Sequence, residues 1–181
     1  MMIIVSTLLS LAFPDAGSSN NWDQWRGPNR DARLPESSPP WPETLKETNL
    51  TRSWRVEMGP GYPGPVVDTT RVYTAETAGA RDEIWQASWP GAMSVPFFAK
   101  RNGDWIRSTP ALDGDSIYIA GIRDVLVKLD SKTGREQWRV DFVERFKSPL
   151  PAFGFVCSPM IDDTGVYVQA GGGFVKLDKK D

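Results

Sequence analysis

Three near-copies of one phrase predict an all-β chain assembled from repeated small sheets. Pro65-Val66-Val67-Asp68 followed by Val72-Tyr73 returns as Pro110-Ala111-Leu112-Asp113 with Ile117-Tyr118, and again as Pro159-Met160-Ile161-Asp162 with Val166-Tyr167. The prolines stand 45 and 49 residues apart. A second phrase, Val125-Leu126-Val127-Lys128-Leu129-Asp130, recurs 48 positions later as Gly173-Phe174-Val175-Lys176-Leu177-Asp178. Repeats of this period mark a propeller or solenoid, in which each unit buries its faces against its neighbours.

The chain opens on an apolar run, Met2 to Phe13, of the length of a signal-peptide core and too short to span a bilayer. No basic residue precedes it, because Arg26 is the first positive side chain, and Pro14-Asp15-Ala16-Gly17 is a poor cleavage site. Residues 1–20 are still read as a signal peptide, which places the protein in the periplasm or outside the cell. The alternative is an amino-terminal strand. Residues 21–53 form an irregular Pro/Trp-rich leader, with Trp41 its expected contact to the folded body. Residues 54–181 hold the repeats, about three units with the last cut short.

Each unit reads as strands. Ser116-Ile117-Tyr118-Ile119-Ala120 and Gly165-Val166-Tyr167-Val168 are rich in β-branched and aromatic residues that suit a pleated surface. Asp113-Gly114-Asp115 and Asp162-Asp163-Thr164-Gly165 join each to the Pro phrase before it, and such turns call for a tight hairpin. Aspartate is a common turn residue, and no acidic loop of EF-hand spacing is present, so turns rather than calcium explain these residues. The strand Val125 to Leu129 runs into Asp130-Ser131-Lys132-Thr133-Gly134-Arg135-Glu136-Gln137-Trp138. Asp130 and Thr133 can satisfy turn backbone groups, Gly134 takes the strained position, and Trp138 offers a large apolar face to a neighbouring sheet. Four strands and a closing Trp describe one blade of a β-propeller.

The pattern Asp-x-x-Thr-Gly-x-x-x-Trp after a Leu-rich strand resembles the pyrroloquinoline-quinone-like (PQQ-like) propeller repeat. Asp130, Thr133, Gly134 and Trp138 carry it, with Lys128 where the family usually has Ala. Asn21-Trp22-Asp23-Gln24-Trp25-Arg26-Gly27-Pro28-Asn29-Arg30-Asp31 is similar to the leader of a bacterial, planctomycete-type subgroup. The resemblance covers about residues 21 to 181.

Two departures stand out. By analogy with Asp130, the first unit should place its own motif Asp near position 85, where Trp85 already stands. Roughly eight residues of strand and turn are therefore absent, through a deletion, a degenerate edge blade or an error in the reading frame. The chain also stops at Asp178-Lys179-Lys180-Asp181, inside a turn. A propeller needs about four to eight blades, so the sequence reads as the amino-terminal part of a longer protein whose open sheet edges could self-associate.

No histidine is present, which removes Ser-His-Asp and Cys-His systems and every His-containing zinc site. The single cysteine, Cys157, reads as strand packing. The resemblance also implies an alternative, a quinone-dependent dehydrogenase of alcohols or sugars with PQQ stacked on Trp and calcium held by acidic and amide side chains. Many such enzymes cover the quinone with a disulfide between adjacent cysteines, which Cys157 alone cannot form. A net charge of −2 with no basic stripe argues against nucleic acid. The remaining reading is a non-catalytic binding or scaffolding propeller, similar in architecture to BamB-type assembly factors, with no cofactor. Its long connections are aromatic and partly cationic. They hold Phe97, Phe98, Trp105 and Arg107 in one and Phe146 and Phe153 in the other. Such residues suit an interface with a protein, or with polysaccharide as the second candidate, although the phenylalanines could equally cap the core.

Overall fold

The computed structural model describes residues 2–8, 21–34, 36, 38, 40, 42–52, 54–77, 84–91 and 93–180. The region expected to hold a cleavage site and Trp41 lie outside the described residues. Three antiparallel sheets follow one another, as an all-β propeller requires. The middle sheet is a full blade of β5 (Ala111–Asp113), β6 (Ser116–Gly121), β7 (Val125–Asp130) and β8 (Glu136–Asp141), paired in that order. Asp113 lies opposite Ser116, so Gly114-Asp115 is the two-residue hairpin loop. The third sheet pairs β9 (Met160–Asp162), β10 (Gly165–Ala170) and β11 (Gly173–Leu177) in order.

The first sheet solves the missing-strand problem in an unexpected way. Its order is β2 (Val66–Val67), β3 (Val72–Thr77), β1 (Met2–Leu8), β4 (Trp85–Pro90). The amino-terminal apolar run thus occupies the third position, which in the middle blade belongs to β7. Thr7 lies opposite Tyr73 on one side and Trp85 on the other. Lys128 lies opposite Tyr118 and Trp138 in the same way, so direction and register match. A strand there gives the inner faces of β3 and β4 the backbone partners that buried amides and carbonyls require.

Blades stack through alternating side chains. Ile117 and Ile119 of β6, with Val127 and Leu129 of β7, join Tyr73, Ala75, Trp85 and Trp89 of the first sheet in one core. Tyr118, Ala120 and Leu126 point the other way and meet Val166, Val168 and Ala170 of the third sheet. A strand buried on both faces reads as the near-continuous apolar run seen in Ile117–Ala120.

One contact recurs at both junctions. Trp85 Nε1 donates to the Ser131 carbonyl at 2.8 Å, and Trp138 Nε1 donates to the Lys179 carbonyl at 3.3 Å. Ser131 and Lys179 each follow the motif aspartate of the next blade. Gly134 has φ +71°, and a methyl group there would come within 2.4 Å of the Trp85 ring, so only glycine fits beneath the indole. Lys128 reinforces the second junction. Its Nζ donates to the same Lys179 carbonyl at 2.7 Å and lies 5.7 Å from the Tyr118 ring centre.

The motif aspartates organise turns. Asp130 Oδ1 accepts from the Thr133 amide and hydroxyl, both at 2.8 Å, and from the Lys132 amide at 3.0 Å. Asp162 Oδ1 accepts from the Thr164 amide and hydroxyl at 2.7 and 2.8 Å. Asp68 repeats this with Thr70 and Arg71, and Tyr73 donates its hydroxyl to the other oxygen at 2.8 Å.

The leader crosses the inner edges of the sheets. Trp22 exchanges backbone hydrogen bonds with Val67 of β2, the Asp23 carbonyl accepts from Leu112 of β5 at 2.7 Å, and Arg30 Nη1 donates to the Pro159 carbonyl just before β9 at 3.2 Å. Successive elements of one short segment therefore touch three successive blades where their first strands converge.

Three predictions follow from this arrangement. Trp85→Phe keeps an apolar ring but removes one of the two donors to the Ser131 carbonyl, the other being Arg71 Nη1 at 3.2 Å, and a loss of about 1 kcal/mol is expected in denaturant unfolding. A chain lacking residues 1–9 should lose hydrogen-exchange protection at Val72–Thr77, and unchanged protection would show that β1 does not support β3. The third concerns acid. Thr133 and Thr164, through hydroxyl and amide, hold the Asp130 and Asp162 carboxyls below their usual range. At Asp68, burial pushes upward, but bonds from Thr70, Tyr73 and Arg71 outweigh it and the net direction is also down. A depressed folded pKa stabilises above the unfolded value and is lost as pH falls through the folded one, so stability should drop progressively below pH about 4. Asp130→Asn with Asp162→Asn should flatten that drop in thermal melts across pH.

Candidate functional site

The two long connections meet. Between β4 and β5 the chain makes a 3₁₀ turn, Phe97–Asn102, anchored by buried Met93, Val95, Ala99 and Ile106. Between β8 and β9 it makes one helical turn, α1 (Phe142–Phe146), capped by Asp141 Oδ1 accepting from the Glu144 amide at 2.9 Å. Gly154 then locks the second connection to the first. Its φ is +71°, and a methyl group there would meet the Ile122 side chain at 2.4 Å and the Met93 sulfur at 2.8 Å.

That contact sets Phe153 beside Phe98, ring centres 6.0 Å apart and edge to face, with Phe97 another 5.6 Å beyond. Phe97 and Phe98 are 84% and 66% exposed. They do not cap the core. Buried Phe155, with its amide on the Ile122 carbonyl, does that.

The other expected residues separate from this cluster. Trp105 covers Gly103 and packs on Tyr62 at 5.9 Å, while Arg107 sits 5.2 Å from the Tyr62 ring centre and donates to the Gly103 carbonyl at 2.9 Å. Phe146 stacks on Phe142 at 6.0 Å and covers Gly171 at the junction of the second and third blades. Asp130, Thr133, Gly134 and Trp138 serve the blade turns and junctions described above. Cys157, read as strand packing, is half-buried in the extended segment before β9.

A feature missed in the sequence lies on the far side of Arg107. A cleft of about 490 Å³ opens between the leader and the starts of the inner strands. Its walls include Trp25, Arg26 and Arg30 from the leader, with Tyr62, Arg107 and Thr109 from the blades. Arg26 and Arg30 each lie 5.6 Å from the Trp25 ring centre, within the range of cation–π attraction. Both adopt left-handed backbone, φ +66° and +57°, a conformation that costs a non-glycine residue about 1 kcal/mol or more. Gly27 between them, at φ +80°, lies so close to the Trp22 ring that a methyl group would sit 2.8 Å from it. The signal was the density of Trp and Arg around a Gly-Pro pair in Trp22–Arg30.

A buried carboxylate sits at the other junction. Asp124, in left-handed backbone, accepts from the Gly171 amide at 2.8 Å through Oδ2, and burial pushes its carboxyl up.

A family model described as outer membrane protein assembly factor BamB matches residues 45–181. The chain belongs to this family, one of PQQ-like repeats. The match starts beyond the Trp22–Arg30 segment, so two of the three cleft arginines lie outside what the family model describes. No curated protein matches the chain.

Proposed function

We propose that the chain is a non-catalytic, exported propeller module that binds a protein partner through the Phe97, Phe98 and Phe153 cluster. The observation that carries this reading is a set of exposed rings fixed by a rigid support, Met93 and Ile122 against Gly154. Apolar rings on a preorganised backbone lose little entropy on binding and make effective anchors. Export accords with a family named for outer-membrane assembly, and the apolar amino terminus is its sequence support. Processing there would vacate the β1 position. No helix among the described residues is long and apolar enough to cross a membrane. The bacterial, planctomycete-type leader belongs to the same proposal.

The quinone alternative finds little support in these residues. Trp85 and Trp138 direct their indole N–H groups to neighbouring turns, and Trp22 lies against Gly27. Among the described residues no three acidic, Cys or His side chains converge as metal ligands.

Replacing Phe97 and Phe98 together with Ala should leave the melting temperature nearly unchanged, since exposed positions contribute little to stability. It should weaken capture of envelope proteins by the immobilised chain about tenfold or more. Unchanged capture would remove the cluster as the contact. A bound quinone chromophore with dye-linked alcohol oxidation would overturn the non-catalytic reading.

A further inference from the structure

We propose that the cleft between the leader and the inner strand edges is a binding site for a ligand bearing clustered carboxylates, held by Arg26, Arg30 and Arg107. The placement is the first argument. The leader runs over β2, β5 and the start of β9 in turn, so the cleft lies where the innermost strands of three blades converge, toward the propeller axis. Ligands of ring-shaped folds are received where several repeats can each supply a group.

The electrostatics are the second argument. None of the residues lining the cleft is acidic. Among the described residues, Arg26 donates only from Nη2, to the Asp31 carbonyl at 3.4 Å, and Arg30 only from Nη1, to Gln24 and Pro159. Among the same residues, Arg107 donates only from Nη2, and its buried Nε has no partner. The nearby Asp31 carboxylate accepts from the Arg33 amide at 2.9 Å through Oδ1 and is not among the residues that line the cleft. Three guanidinium groups thus retain unused donors on one cavity, and a buried unpaired donor calls for an acceptor.

Shape and chemistry select the ligand. Trp25 and Tyr62 have guanidinium groups over their rings, which orients the forks and leaves the charges rather than the rings for the ligand. Guanidinium forks match carboxylates two oxygens at a time. The cleft has neither the glycine-rich loop nor the helix N-terminus that cradles a lone phosphate, and about 490 Å³ is room for a molecule carrying several anionic groups. A small polycarboxylate and the acidic side chains of a peptide present the same groups.

The test is calorimetric titration of the full chain at low salt with citrate, with a hexaglutamate peptide and with inorganic phosphate. Saturable binding of citrate or hexaglutamate, tighter than phosphate, is expected. Citrate alone would identify a free polycarboxylate as the ligand type, and hexaglutamate alone an acidic peptide. Arg26→Gly should weaken binding about tenfold, while the melting temperature holds or rises because glycine adopts the left-handed backbone freely. Arg107→Gln should weaken it similarly. Absence of binding by both carboxylate probes at about 1 mM, phosphate binding as tightly as they do, or affinity unchanged in folded Arg26→Gly would each overturn the proposal. Phe97 and Phe98 lie outside the cleft, so the result is independent of the aromatic-cluster reading.

Discussion

The fold depends on a tryptophan that belongs to two blades at once. The Trp85 ring packs on Tyr73 of its own sheet, centres 6.2 Å apart, while its N–H reaches the turn of the next blade. Trp138 and Tyr118 repeat the pair at 5.8 Å. An indole is suited to this because its face is apolar and its edge carries one donor. The ring fills the space between sheets, and the single hydrogen bond sets how far one sheet slides along the other. Gly134 is the counterpart of that constraint, since any side chain there would displace the ring.

Once neighbouring sheets are held in register, the strands between them must be apolar on both faces and complete in backbone pairing. This makes the vacancy in the first sheet consequential. β3 is buried along its whole length, so an open third position would leave its amides and carbonyls without partners in a place water reaches poorly. The apolar amino terminus meets that demand with the direction and register of β7. One segment thereby carries two competing assignments, an export leader and a structural strand, and both draw on the same run of apolar residues.

Much of the fold was legible in the residues themselves. The repeated Pro phrase, the turn aspartates and the closing Trp each report local geometry, and local geometry is what short spacing encodes. Asp130 and Asp162 do form the turns their spacing implies. The candidate site was legible only in pieces. Phe97, Phe98 and Phe153 were visible as aromatics on long connections, but Trp105 and Phe146 looked equivalent and sit elsewhere. The cleft was not legible, because Arg107 read as part of an aromatic binding loop while Arg26 and Arg30 stand in the leader, far from it along the chain.

The sequence by itself determined the repeat and the strand–turn chemistry within each blade, because these follow from residue type and near-neighbour spacing. Only the tertiary structure decided which strand completes the first sheet, which phenylalanines meet and which arginines share a cleft. Those outcomes depend on contacts between residues dozens of positions apart. They are set by how blades stack around an axis, and no local pattern carries that information.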